Sequence, residues 1–391
     1  MYQVKTYNAI AQAGLDRFTA DFALNQSAQP DAYLIRSVNL REAEFPASLK
    51  VIVRCGAGYN NIPLHRATEA GIAVFNTPGS NANAVKELVV GMLIIASRNL
   101  YSAVTYAEHN SGADISTRTE KEKTQFNGTE LVGKTLAVIG VGHVGAKVAA
   151  AASALGMKVI GYDPYLSADS AWHIPTAAIR AHTLAEALKD ADYVTVHTPK
   201  NEETTGLIGE KELNEMKPGA VLLNFARLGI VDNAAVLKAL DGGRLKRYLT
   251  DFGEDSILDR PDILVTPHIG GSTAQAEDNG AVQGAETVMQ FLETGNVVNS
   301  VNLPHLDVPF TTRFRLTVMH QNIPNMVGQI TTLLANEDIN IEGMSNAALA
   351  KTAYTVIDID ALNQADAAAL LTKLNAIPAV YRTRLLNNPR L

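Results

Sequence analysis

The sequence has a single cysteine, Cys55. One thiol excludes a disulfide framework and leaves no Cys-based metal cluster. A lone Cys at the end of an apolar run is expected to be a buried thiol. No spacing of His, Cys, Asp and Glu matches a metal site, so no metal is expected. Basic residues are in the minority, with 33 Lys and Arg against 40 Asp and Glu and a net charge of −7. That balance excludes nucleic acid and anionic membranes as expected partners. An acidic metabolite could still be held, but only by a local basic pocket. Long apolar runs are missing too. The longest, Leu88 to Ala96, is too short to span a bilayer. Met1 to Ile10 lacks the charged and apolar blocks of a signal peptide, so the cytoplasm is the expected compartment.

What remains is an ordinary globular composition, 47% hydrophobic and 19% charged. With 391 residues the chain is long enough for two or three domains. Its most informative stretch is Gly140-Val141-Gly142-His143-Val144-Gly145. The apolar run Thr135–Ile139 precedes it, an alanine-rich run from Ala146 to Leu155 follows, and a second apolar run, Met157–Tyr162, ends at Asp163. The order predicts strand, glycine turn, helix, strand, acid. Small residues let the backbone approach a pyrophosphate, and the helix start presents free N–H groups to its charge. An acid about 20 residues on can bond the ribose hydroxyls and repel the 2′-phosphate of NADP. A tight turn in a plain βαβ unit would explain the glycines but not Asp163. NAD is therefore the expected cofactor.

Residues 1–80 alternate short apolar runs, such as Val51-Ile52-Val53 and Ala73–Asn76, with polar segments punctuated by Gly56, Gly58 and Gly71. That alternation predicts a parallel sheet covered on both faces. Val85, Leu88, Val89, Met92, Leu93 and Ala96 recur at helical spacing, which predicts a long buried helix bridging into the next domain. Residues 110–130 read as a solvated surface segment. Later strands are predicted at Tyr193–His197, Ala220–Asn224 and Ile263–Thr266. Their ends carry His197-Thr198-Pro199, Asn224–Arg227 and Thr266-Pro267-His268, and ligands of open α/β sheets gather beyond strand carboxyl ends. Residues 296–313, with Pro304 and Pro309, read as a linker. From Phe314 the pattern restarts as βαββαβ, the ferredoxin-like order.

Three groups suit chemistry. Arg227, at a strand end, can fork onto a planar carboxylate and polarise a neighbouring carbonyl. His268, between Pro267 and the Gly270-Gly271 pair, changes charge near neutral pH and suits a proton exchanged during hydride transfer. A carboxylate behind it would hold the ring and favour imidazolium. Asp251, Glu254 and Asp255 are the possibilities. His143 and His197 fall near the expected cofactor. His65, His109, His173, His182 and His305 have no partner spacing and read as structural.

Together, the GVGHVG turn with Asp163, Asn224–Gly229, Thr250-Asp251-Phe252 and Thr266–Ser272 resemble the D-isomer-specific 2-hydroxyacid dehydrogenases. The stretches from Phe75 to Leu88 and from His268 to Thr273 resemble members of that family acting on 3-phospho-D-glycerate. The C-terminal unit resembles the ACT regulatory domain, and the resemblance covers nearly the whole chain. It implies two doubly wound parallel-sheet domains, a flavodoxin-like substrate domain (1–95 with 275–300) and a Rossmann NAD domain (96–274). A linker (301–313) and a ferredoxin-like ACT domain (314–391) would complete the chain. The implied reaction is NAD-dependent oxidation of 3-phospho-D-glycerate to 3-phosphohydroxypyruvate, the entry to serine synthesis. Reduction of 2-oxoglutarate or another 2-oxo acid, and a non-catalytic NAD-sensing regulator, are the alternatives.

The same resemblance implies Arg227 and His268 as catalytic residues. The acid of a DVFxxE-like run would be Asp255, or Glu254 after a one-residue slip. Cofactor contacts would fall on Gly140, Gly142, His143, Val144, Gly145, Asp163, His197, Phe225, Ala226, Asp251, Gly270 and Gly271. Substrate contacts would fall on Arg36, Ser37, Arg54, Gly56, Ala57, Gly58 and Asn81. His320, Asn322 and Asn340 would hold an L-serine effector, with Asn325 where the family has a glycine. A homodimer or homotetramer is implied as well.

Overall fold

The computed structural model describes residues 1–166, 171–359, 362, 364–388 and 391. Three sheets organise them. The first contains β1 (Tyr2–Thr6), β2 (Phe22–Leu24), β3 (Ala32–Ile35), β4 (Val51–Arg54) and β5 (Ala73–Asn76). All pairs are parallel, in the order β2-β1-β3-β4-β5, which is the flavodoxin-like order. Buried side chains on β3 and β4 explain why those runs read as continuous apolar stretches.

The second sheet contains β6 (Thr135–Ile139), β7 (Lys158–Tyr162), β8 (Ile179–Arg180), β9 (Tyr193–Val196), β10 (Ala220–Asn224), β11 (Leu245–Thr250) and β12 (Ile263–Val265). Its order, β12-β11-β10-β9-β6-β7-β8, reverses direction beside β6, as in a Rossmann sheet. The third sheet is antiparallel, β14 (Ile341–Leu349), β15 (Thr352–Ile359), β13 (Phe314–Gln321) and β16 (Val380–Asn387), in that spatial order. With helices Met326–Asn336 and Gln364–Asn375 it makes the ferredoxin-like βαββαβ unit.

The chain forms two compact units, Met1–Asn81 with Ala274–Leu391, and Ala82–Thr273. The helix Ala82–Arg98 lies wholly in the second unit, where Val85, Val89, Met92, Leu93 and Ala96 pack with the buried face of β6. The two units divide at its start. Residues 110–130 include a helix, Ile115–Glu122, that buries none of its side chains. Without an apolar stripe it leaves no periodic signal in the sequence.

The stretch expected as a linker is packed, not free. Val297 and Leu306 pair as an isolated bridge, and Val297, Leu303 and Leu306 join the core of the first sheet. The third sheet shares that core through Met319, Tyr354 and Val356. Its anchor is Arg315, fully buried and bidentate to Asp358 at 2.6 and 2.8 Å. The same guanidinium donates to the carbonyls of Thr294, Val308 and Pro309. Arg384 donates to the carbonyls of Phe291 and Leu292, near the end of the helix Ala274–Thr294. A cation there complements the helix dipole. The 314–391 region thus belongs to one compact body with the first sheet. Among the described residues no single helix is long and apolar enough to cross a membrane.

Candidate functional site

The glycine turn follows β6. Gly140 adopts φ +88°, and a Cβ there would come within 2.9 Å of the His197 backbone. A Cβ on Gly145 would lie 2.0 Å from the Gly140 oxygen, so the helix His143–Ala154 packs onto the turn only without a side chain there. Gly142 faces open space. Val144 is half-buried and His143 exposed at the first turn of this helix. Asp163, just past β7, accepts from the backbone N–H of Val141 and of Tyr165, both at 2.9 Å. The acid at the end of the second strand therefore fixes the glycine turn as well as facing the ligand space.

A cavity of about 510 Å³ opens at these strand ends, between Asp163–Leu166 and His197–Leu207. His197 accepts from or donates to Thr195 Oγ1 at 3.0 Å through Nε2. Burial pushes its imidazole down to about 3, so it is neutral at physiological pH. Thr198 is the surprise. Its Oγ1 is buried and, among the described residues, has no hydrogen-bond partner, yet it lines the cavity. Buried hydroxyls are normally satisfied, so this one is poised for a ligand. The strand-end reading drew attention to His197-Thr198-Pro199, but no residue-type rule marked the threonine.

The same sheet end carries Arg227. Buried Asn224 bridges the turn, accepting from Ala226 N–H at 3.2 Å and donating to the Arg227 carbonyl at 3.0 Å. Phe225 is buried beneath it. Arg227 donates to the Ala226 carbonyl at 2.7 Å, and burial lowers its pKa from the ordinary arginine value. An arginine nevertheless stays charged in proteins.

Asp251 fastens the neighbouring loop. Its Oδ1 accepts from Thr266 Oγ1 at 2.6 Å and Ile269 N–H at 2.9 Å, and its Oδ2 from Gly270 N–H at 2.7 Å. The carboxylate is 2% exposed and wholly engaged by the loop that carries His268. His268 sits at φ +57°, a left-handed conformation uncommon outside glycine and asparagine, and such strain clusters at functional sites. Its ring meets Phe252 edge-on, centroids 5.0 Å apart. Glu254 accepts from the Asn233 amide, at the first turn of the helix Asn233–Asp241. Asp255 opens a short 3-10 turn, Asp255–Ile257. Among the described contacts, neither carboxylate is hydrogen-bonded to His268. Gly271 follows in the same loop.

In the first unit, Arg54 at the end of β4 donates to the carbonyls of Arg36, at 3.0 Å, and Gly58, at 2.6 Å. Gly56 has φ +144° and its N–H donates to Thr77 Oγ1 at 2.6 Å. Ala57 accepts from the Asn76 amide, and the Ser37 N–H is held by Asn8. Arg36 pairs with Glu277, and Asn81 ends the turn before residue 82. Cys55 is half-buried beside Gly284, and burial pushes its thiol up to about 12. In the third sheet, buried His320 is engaged by the Gln321 carbonyl at 2.8 Å and Thr355 Oγ1 at 2.9 Å. Asn322 donates to the Ala350 carbonyl and Asn340 to Glu342.

This geometry has relatives. Residues 90–270 match the NAD binding domain model of D-isomer specific 2-hydroxyacid dehydrogenases. The chain is 32% identical over 340 residues to the D-3-phosphoglycerate dehydrogenase of Escherichia coli (strain K12), covering 84% of this chain and 79% of that protein. This chain belongs to the D-isomer specific 2-hydroxyacid dehydrogenases. It is also 34% identical over 360 residues to the D-3-phosphoglycerate dehydrogenase of Mycobacterium tuberculosis (strain ATCC 25618 / H37Rv), covering 85% of this chain. It spans 66% of that longer relative's length. A solved 3-phosphoglycerate dehydrogenase of Entamoeba histolytica, bound to NAD+, superposes with a TM-score of 0.60 at 25% identity, over 77% of this chain and 99% of that one. The dehydrogenase fold and its NAD-binding domain are thus established. Open space at Gly142, the unpartnered Thr198 hydroxyl and the cavity beside Asp163 all fit a dinucleotide.

Proposed function

We propose that the protein is an NAD-dependent D-2-hydroxyacid dehydrogenase that oxidises 3-phospho-D-glycerate to 3-phosphohydroxypyruvate, the entry to serine synthesis. The observation that carries this is Arg227 and His268 on rigid turns of the same sheet end as the glycine turn, each turn locked by a buried side chain, Asn224 or Asp251. Such locking places a site's groups without reorganisation. NAD, when bound, supplies the hydride acceptor for C2. The turn Gly140–Gly145 would hold its pyrophosphate and Asp163 its ribose, with His143, Val144, His197, Phe225, Ala226, Gly270 and Gly271 around it. Asp251 acts by positioning the His268 loop.

Arg227 forks onto the substrate carboxylate and polarises the C2 oxygen. His268 accepts the C2 hydroxyl proton as the carbonyl forms. Glu254 or Asp255 favours the resulting imidazolium. Arg36 and Arg54, with Ser37, Gly56, Ala57, Gly58 and Asn81, supply cationic and backbone donors for a phosphorylated acid. Reduction of 2-oxoglutarate or another 2-oxo acid is the second reading, because Arg227 recognises a carboxylate and not a phosphate. The presence of both Arg227 and His268 argues against a non-catalytic NAD-sensing regulator.

Steady-state rates with 3-phospho-D-glycerate, 2-hydroxyglutarate and D-lactate, each with NAD and NADP, test the proposal. Turnover is expected to be highest with 3-phospho-D-glycerate and NAD; a tenfold preference for 2-hydroxyglutarate would favour the second reading.

The 314–391 unit is proposed as an L-serine site. His320, Asn322 and Asn340 are the residues proposed to meet the serine, with Asn322 and Asn340 exposed and His320 buried in the sheet. Calorimetry is expected to give saturable heat that vanishes in Asn322→Ala; no heat at millimolar serine leaves only an assembly role. A homodimer or homotetramer is supported by the helix Leu100–Glu108, which buries no side chain and exposes Leu100, Tyr101 and Val104. The compartment proposed is the cytoplasm.

A further inference from the structure

We propose that Tyr165 and Glu203 form a clasp across the mouth of the cavity beside Asp163 and so set how long the dinucleotide stays bound. The inference rests on reading that cavity as the adenosine end of the NAD site. Its two lips come from different strand ends, the segment after β7 and the segment after β9. Tyr165 Oη donates to Glu203 Oε2 at 2.6 Å and joins one lip to the other. Tyr165 is 75% exposed, so among the described residues this hydrogen bond rather than burial holds its ring.

Both lips are fixed at their bases. Asp163 accepts the Tyr165 N–H at 2.9 Å. On the other side Asn201 and Thr204 exchange hydrogen bonds, Asn201 N–H to Thr204 Oγ1 and Thr204 N–H to Asn201 Oδ1, both 2.9 Å. Thr204 Oγ1 also donates to the Pro199 carbonyl at 2.6 Å. The movable part is then the Tyr165–Glu203 bond itself. A phenol–carboxylate bond is charge-assisted, yet in water it opens readily. That suits a latch that must release a product on every turnover, since release limits many enzymes. The carboxylate also raises the Tyr165 pKa through this hydrogen bond, so the phenol keeps its proton and remains a donor.

The same arrangement ties cofactor choice to cofactor retention. Asp163 is the acid expected to meet the ribose, and it also holds the backbone of the clasp tyrosine. Glu203 adds a second negative charge at the rim.

Stopped-flow displacement of NADH, followed by its nicotinamide fluorescence, tests the clasp. Tyr165→Phe and Glu203→Ala are each expected to speed release about three- to tenfold. The double variant is expected to release no faster than the faster single one, because a bond lost once cannot be lost again. Release within twofold of the native rate in both single variants overturns the clasp, and so does a double variant whose effects multiply. If Glu203 acted only by repelling phosphate, Glu203→Ala would slow release, which also overturns it. The equilibrium affinity of Asp163→Ala for NADH separates the clasp from the cavity assignment. Weakened binding there, with unchanged release in the clasp variants, sinks the clasp and keeps the cavity as the cofactor site. Unchanged binding and unchanged release sink both.

Discussion

Replacing Arg227 with lysine keeps the charge and removes the fork. The turn around it is held by Asn224, so the shorter ammonium cannot reach two carboxylate oxygens by moving the backbone. Arg227→Lys is expected to lose at least about 100-fold in kcat/KM, checked by steady-state kinetics. His268→Ala is expected to lose turnover while binding NADH normally in a fluorescence titration. The acid is located by Glu254→Gln and Asp255→Asn. Glu254 is held by Asn233. The variant that lowers turnover and shifts the pH profile of kcat identifies the partner of His268. His197 makes a pH prediction of its own. Its folded pKa, about 3, lies below the ordinary 6.5, so the unfolded chain binds a proton that the folded one refuses between these values. Stability is fully present above pH 6.5 and falls as pH drops towards 3, by at most about 1.4 kcal/mol per unit from this group. Urea melts of His197→Asn between pH 7 and 4 are expected to show a flatter decline than the native protein.

Among the elements, the glycine turn was legible in the sequence because its chemistry is local. Gly140 needs φ +88° and Gly145 cannot carry a Cβ, and both demands fall on single residues. Gly145→Ala is expected to cost about 2 kcal/mol or more of stability, since the added carbon would sit against the Gly140 oxygen; thermal melts check it. The strand ends bearing Arg227 and His268 were legible for the same reason. The supporting bonds were not. Asp251 read as a cofactor contact or a spare acid, and the structure commits it to three bonds with a loop 15 to 19 residues away. Thr198 matters through its place in the cavity wall and Asn233 through its bond to Glu254, and no spacing rule reveals either. The helix Ile115–Glu122 was invisible because none of its residues is fully buried and it carries no apolar stripe.

For the whole molecule, three sheets were foreseeable from strand–helix alternation and the βαββαβ restart. The packing of the third sheet was not. Arg315 reads in the sequence as one more arginine, yet it is fully buried and ties Asp358 to the 294–309 segment. Asp358→Asn leaves that cation without its bidentate partner, and removing one member of a buried pair costs about 3–5 kcal/mol. The melting temperature is expected to fall by several degrees, and hydrogen exchange in β13 and β15 to accelerate. A fall confined to the third sheet would mean that it unfolds apart from the first, against their shared core of Met319, Tyr354 and Phe75.

The central claim is that a hydrogen leaves C2 of the hydroxy acid for NAD while His268 takes the hydroxyl proton. Mass spectrometry of NADH formed from 3-phospho-D-[2-²H]glycerate reads it directly. One deuterium per NADH formed, and no NADH from His268→Ala, is the result predicted. NADH without deuterium, or normal labelled product from His268→Ala, would contradict it.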